Sequence, residues 1–141
     1  MSDVMLSVVM TTYNHEAYIA EAIESVLMQH TTFDVEIVVG EDCSSDATRS
    51  IVESYCAQYP ERVRLVGSEH NVGMRANYRR TIEATRGRYV AMLDGDDYFT
   101  ASDKLQRQVE LLERRADIGM CYTRSRRVDE RGEATIYPEG E

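Results

Sequence analysis

Short apolar runs and helically spaced apolar stripes alternate along the chain. Leu6–Met10 (LSVVM) precedes Tyr18, Ile19, Ala22, Ile23, Val26 and Leu27, which share one helical face. Val35–Val39 precedes Ile51, Val52, Tyr55, Cys56 and Tyr59 at similar spacing. Val63–Val66 precedes a polar stretch reaching to about Ile82 and Ala84, and Tyr89–Leu93 precedes Leu105, Val109 and Leu112. Met120–Thr123 is a fifth candidate strand. The runs are β-branched and not strictly alternating, as strands buried on both faces are. Such alternation predicts an α/β fold, a mainly parallel sheet with flanking helices. Ser44-Ser45-Asp46 and Ser102-Asp103 offer N-cap chemistry for helix starts. Asn71-Val72-Gly73 reads as a turn with its glycine at positive φ. The polar stretch 124–141, with Gly132, Pro138 and Gly140, is open to a hairpin but reads more as a chain leaving the domain or a cut end.

In an open parallel sheet, ligands bind beyond the carboxyl ends of the strands, so polar residues should collect there. They do. Thr11-Thr12-Tyr13-Asn14-His15 follows the first run, Glu41-Asp42-Cys43-Ser44-Ser45-Asp46 the second, and Asp94-Gly95-Asp96-Asp97-Tyr98 the fourth. Carboxylates packed as in Asp94-Gly95-Asp96-Asp97 repel one another unless a cation or protons neutralise them. Hard ions such as Mg2+ or Mn2+ suit a few carboxylates and keep positions open for water or phosphate. A solvated acidic turn capping the next helix is the other reading. Gly95 lets the turn form without a Cβ obstructing a ligand. Of Glu41 and Asp42, one could cap a helix and the other accept from a ligand N–H, or both could belong to a loop rich in capping residues. Tyr13 could stack on a planar base or join the core, and His15 is most simply a helix-start residue. Arg75, Arg79 and Arg80 could face phosphates, or at least two of them could be a solvated helix face.

With 141 residues the chain allows one domain, short for a complete two-substrate enzyme. A net charge of −9 argues against nucleic acid or an anionic membrane as the main partner. Residues 1–60 hold ten acids and only Arg49 as a base, whereas residues 61–141 hold 15 charges of each sign. Something electropositive is therefore expected near the front of the chain, although most of that surplus reads as solvated helix surface. Cys43, Cys56 and Cys121 are widely spaced, as reduced thiols in a cytoplasmic protein are. Neither a signal peptide nor an apolar stretch of membrane-spanning length is evident.

LSVVMTTYNHEAYIAEAIESVLMQ, EIVVGEDCSSDATRSIV, the N-x-G of Asn71–Gly73 and GRYVAMLDGDDYF resemble family 2 glycosyltransferases of GT-A fold. DGDDYFTASDKLQRQVELLE is similar to bacterial members with a GDDYW-type motif. The resemblance runs from about Leu6 to Thr123, in order and spacing. It implies the Rossmann-like nucleotide-binding half of a GT-A fold in residues 1–123, with 124–141 a polar extension. It further implies an inverting, metal-dependent transfer from a nucleotide-diphosphate sugar, a UDP-sugar by family habit, to a saccharide or lipid-linked acceptor hydroxyl in polysaccharide or cell-envelope biosynthesis. Thr11 and Tyr13 match residues beside the base, and Asp42 the carboxylate that accepts from its N–H. Asp94, Asp96 and Asp97 match the DxD region at the ribose and, through Mn2+ or Mg2+, the diphosphate, with Asp96 and Asp97 as metal contacts. Arg75 is the arginine assigned to the donor.

Two departures stand out. Asn77-Tyr78-Arg79 replaces the Ala-Arg-Asn of many relatives, and no carboxylate in 124–141 matches the general base, which is expected beyond Glu141. The resemblance thus implies the donor-binding half of a longer, truncated transferase. Such a protein works in the cytoplasm or at the inner membrane face, and a cut face invites self-association. A non-catalytic nucleotide-sugar-binding module is the alternative. A phosphoacceptor signalling domain is disfavoured, because its paired acids would follow the first strand, where this chain has Thr-Thr-Tyr-Asn.

Overall fold

The computed structural model describes residues 3–137. Two compact units form, one up to Gln106 and one from Arg107. The first contains β1 (Leu6–Thr12), α1 (Ile19–Leu27), β2 (Val35–Glu41), α2 (Thr48–Gln58), β3 (Val63–Gly67), α3 (Met74–Glu83) and β4 (Tyr89–Met92), and ends within α4 (Lys104–Arg114). All four strands are parallel, in the order β3-β2-β1-β4. The predicted α/β sheet is therefore present, with each strand within a few residues of its apolar run.

The core explains the pattern. Every residue of β1 and β2 is buried, as continuous apolar runs in central strands require. Ile19, Ala22, Ile23 and Val26 of α1 are fully buried. β4 lies at the sheet edge and exposes alternate residues, Val90 and Met92. On α2 the expected stripe buries Val52, while Ile51, Tyr55, Cys56 and Tyr59 are half-buried. The Ser-Ser-Asp signal lies just ahead of α2, but the N-cap is Ala47, which offers no side-chain cap; Asp46 Oδ1, one residue earlier, accepts from the Thr48 N–H at 2.9 Å. At α4, the Leu105 N–H donates to Gln29 Oε1 at 3.1 Å, a cap from a distant segment.

One buried carboxylate ties the N-terminal ends of the sheet. Glu36, on β2, accepts from Ser7 Oγ of β1 (2.6 Å), Arg64 Nε of β3 (3.0 Å), and the backbone, Nε and Nη2 of Arg86 ahead of β4 (2.9, 2.9 and 2.7 Å). Burial alone would raise its pKa, but the hydrogen bonds from Ser7, Arg64 and Arg86 outweigh it and bring it from 4.5 down to about 2.

The second unit carries a hairpin, the less favoured of the two readings of the tail. β5 (Ser125–Val128) pairs antiparallel with β6 (Ala134–Tyr137). Asp129 Oδ1 accepts from the Arg131 and Glu133 N–H groups, both at 2.9 Å, and Gly132 takes φ 78°. Side-chain-to-backbone bonds of this kind make a turn without apolar patterning, which is why hydrophobic periodicity missed it. The expected strand Met120–Thr123 does not form; Met120 and Tyr122 are 80% and 78% exposed, and the segment pairs with no strand among the described residues. Pro138 and Gly140 lie outside the described residues.

The sign of the Glu36 effect is fixed by its lowered pKa: the stabilisation is complete above pH 4.5 and is lost as pH falls toward 2. Glu36→Gln should cost about 3 kcal/mol at neutral pH. Urea unfolding should show the gap between the two proteins closing as the medium is acidified through that window.

Candidate functional site

The strand order places a switch point between β1 and β4. The chain steps from β1 to β2 to β3 on one side, then returns to add β4 on the other. Crevices open at such points beyond the carboxyl ends of the strands. Thr11 ends β1 beside the turn that follows β4, and its Oγ1 donates to Asp94 Oδ1 at 3.1 Å. Tyr78, on α3, donates its hydroxyl to the same oxygen at 3.2 Å. Burial first, then the charge of Asp94, raises the Tyr78 phenol pKa.

Gly95 has a use within the protein itself. A Cβ there would come within 2.7 Å of Thr12 Oγ1 and 3.0 Å of His15 Nδ1. The residue lets the acidic turn press against the end of β1, and its N–H donates to Thr11 O at 2.9 Å. His15 sits in the turn that leads into α1 and not at the helix start, which is capped at Tyr18; its carbonyl accepts from the Tyr18 and Ile19 N–H groups, both at 2.9 Å. It also bridges the site, with Nδ1 3.1 Å from Thr12 Oγ1 and Nε2 3.8 Å from Asp96 Oδ2.

The acids of the turn sense one another. Burial first, then the charges of Asp96 and Asp94, raise the Asp97 pKa against a lowering by His15. No group of three or more His, Cys, Asp or Glu side chains able to hold a metal ion occurs among the described residues. Asp96 and Asp97 could therefore supply no more than part of a ligand set for a hard divalent ion. Carboxylates are the right donors, and water and ligand phosphate oxygens would complete the shell.

Asp42 is buried, with its side chain 4% exposed. Oδ1 accepts from the Val72 N–H at 2.8 Å and Oδ2 from the Gly73 N–H at 3.0 Å. Gly73, at φ 86°, has the positive φ expected of that turn and caps α3. The two oxygens offer about four acceptor positions, so each can still take a ligand N–H. Its neighbour Glu41 is wholly buried; Oε1 accepts from the Ser44 N–H at 2.7 Å, and Oε2 lies 3.8 Å from Arg49 Nη1 without a hydrogen bond.

The loops after β1 and β2 hold each other. The Asn14 N–H donates to Ser44 Oγ (2.9 Å) and Asn14 Oδ1 accepts from the Ser45 N–H (2.8 Å). The His15 N–H donates to Thr48 Oγ1 (2.8 Å) and the Ala47 N–H to Glu16 Oε2 (2.9 Å). Asn14 and Cys43 both have positive φ, 54° and 60°, a costly conformation that this stitching maintains.

Of the three arginines, Arg75 and Arg79 are exposed. Arg79 pairs with Glu83 at 2.9 Å, while Arg75 has no hydrogen-bond or ion-pair partner among the described residues. Arg80 turns inward toward Asp42. Sequence reading thus brought Thr11, Asp42, Asp94, Asp96 and Asp97 to one end of the sheet, with Tyr13 beside them and 47% exposed. It did not single out Tyr78, it offered Arg80 to phosphates or solvent and not to Asp42, and it missed the bridging role of His15. A signal for the first two existed: the buried face of α3 carries Asn77 and Thr81 rather than apolar residues, so that helix docks through hydrogen bonds.

Residues 7–138 match the family described as Glycosyl transferase family 2. The chain belongs to that family. It is 31% identical over 133 residues to the uncharacterized glycosyltransferase MJ1057 of Methanocaldococcus jannaschii, covering 94% of this chain and 45% of that protein. Among solved structures it is similar to S. aureus TarS 1–349 in complex with UDP, with a TM-score of 0.70 and 29% identity over 80% of this chain and 33% of that one. The mannosyltransferase PcManGT of Pyrobaculum calidifontis, in complex with GDP-Man and Mn2+, shares the fold, with a TM-score of 0.69 and 24% identity over 79% of this chain and 35% of that one. The fold is that of the GT-A glycosyltransferases. The chain spans about a third to under half of the length of the curated relatives it matches.

The coupling within the acidic turn can be measured. Replacing Asp96→Asn removes the stronger of the two like-charge influences on Asp97, so in metal-free buffer the Asp97 midpoint should move down, with burial still holding it above the ordinary value. Carboxyl-carbon NMR titration of both proteins reads this directly; an unmoved midpoint would show that the two side chains do not interact.

Proposed function

We propose that residues 1–123 bind a nucleotide-diphosphate sugar, most simply a UDP-sugar, for inverting transfer to an acceptor hydroxyl, with 124–141 as a polar extension. One observation carries the reading: Thr11, Asp42 and the Asp94–Asp97 turn converge beyond the carboxyl ends of β1, β2 and β4, at the switch point of a family 2 fold. The TarS structure containing UDP supports uridine as the nucleoside. Gly95-Asp96-Asp97-Tyr98 supports membership of the bacterial GDDYW-type subgroup.

In this reading Tyr13 stacks on the base from its exposed position, Thr11 lies beside the base, and Asp42 accepts the ring N–H. Asp94, oriented by Thr11 and Tyr78, accepts from ribose hydroxyls. Asp96 and Asp97 would hold Mn2+ or Mg2+, and Arg75, solvent-facing on the first turn of α3, would reach the diphosphate. The bound ion supplies neutralisation of charge on the departing diphosphate. The chain's own residues fix base, ribose and phosphate, so the anomeric carbon is presented with one face open to attack.

A general base must take the acceptor proton. We assign it, with the acceptor pocket, to the part of the relatives' length that this chain does not span. Residues 1–141 alone should then bind donor and transfer nothing. We place the protein in the cytoplasm or at the inner membrane face. Its three cysteines are free, and no helix among the described residues is long and apolar enough to cross a membrane.

Calorimetric titration with UDP, with and without Mn2+, tests this. Binding should strengthen at least about tenfold with Mn2+, and the combined Asp96→Ala and Asp97→Ala substitution should abolish that gain. Absence of nucleoside diphosphate binding in both conditions would remove the donor-site reading.

A further inference from the structure

We propose that Arg80 is a positioning residue for nucleobase recognition, acting through Asp42 without touching the ligand; this rests on the donor-site reading above. The geometry of α3 against the end of β2 carries it. A Cβ on Gly40 would overlap the Thr81 hydroxyl, so helix and strand meet without clearance. Asn77, 2% exposed, donates from Nδ2 to Gly40 O at 2.8 Å. Arg80 completes the clamp: Nη2 donates to Glu41 O at 2.8 Å and to Asn77 Oδ1 at 2.6 Å, and Nε donates to Asn77 Oδ1 at 2.9 Å.

These bonds place the guanidinium 3.8 Å from Asp42 Oδ1. At that distance it contributes charge but does not occupy an acceptor position on the carboxylate. A bidentate arginine would consume the lone pairs that a ligand N–H needs. Arg80 instead spends its donors on Glu41 O and Asn77, and those bonds hold α3 and with it the turn just ahead of the helix that supplies the Val72 and Gly73 N–H groups to Asp42. The carboxylate is thus oriented from two sides with acceptor capacity left over. Arg80 lies 39 residues beyond the Glu41 carbonyl it binds, and only the docking of α3 brings it there.

The test compares UDP with CDP, whose ring has an acceptor where uracil carries an N–H. Wild type should prefer UDP. Arg80→Met, which keeps the aliphatic stem, should lose about tenfold in UDP affinity, little in CDP affinity, and therefore most of the preference. In an Asp42→Asn background the same substitution should have no further effect, and Arg80→Lys should restore part of the preference. Circular dichroism and thermal unfolding identify which variants are folded; Arg80→Lys carries the test if Arg80→Met is not. Equal losses for UDP and CDP, or an unchanged ratio, would make Arg80 merely structural and overturn the inference while leaving the donor reading intact. A wild type that binds neither nucleotide would overturn both.

Discussion

The carboxylate of Glu36 sits near the N-terminal end of the central strand β2 and draws hydrogen-bond donors from β1, from β3 and from the segment that leads into β4. A buried charge of this kind is tolerated only when its acceptor positions are filled, and here they are. Its consequence is geometric. Strands tied at their N-terminal ends in one register finish together at the other end, so Thr11, Asp42 and Asp94 arrive side by side. The tie at one end and the candidate site at the other are two results of one alignment.

The uneven charge of the chain acquires an explanation from the same topology. Acids dominate residues 1–60, but Glu36, Glu41 and Asp42 are buried among them and do not belong to a solvated helix surface. Their cations come mostly from later in the chain: Arg64 and Arg86 for Glu36, and Arg80 beside Asp42. The electropositive partner anticipated for the front of the chain is in part its own second half. Folding brings together charges that lie 28 to 50 residues apart around Glu36.

Legibility in the sequence followed the type of force involved. Burial of apolar surface leaves a periodic record, and LSVVM, VEIVV and the α1 stripe were readable as elements of a parallel sheet. The strand-end rule then located Thr11, Asp42 and the Asp94–Asp97 turn. Polar docking leaves no such record: Asn77, Arg80 and Thr81 look like a solvated helix until Gly40 is seen beneath them. The Asp129 turn was missed for the same reason, because its stability comes from side-chain-to-backbone hydrogen bonds. Met120–Thr123 looked like a strand by composition, but a strand exists only with a neighbour.

Asn14 and Cys43 hold left-handed backbone on two facing loops, each braced by hydrogen bonds to the other. The conformational entropy of this lip is surrendered during folding, before any ligand arrives. A nucleotide that docks there meets ordered walls, so its affinity need not be reduced by ordering them. The same rigidity narrows adaptation: a bulkier base or a shifted ribose could be accommodated only by breaking bonds between the loops. Under the proposed function, selectivity at this rim would be a property inherited from the folding of the protein itself.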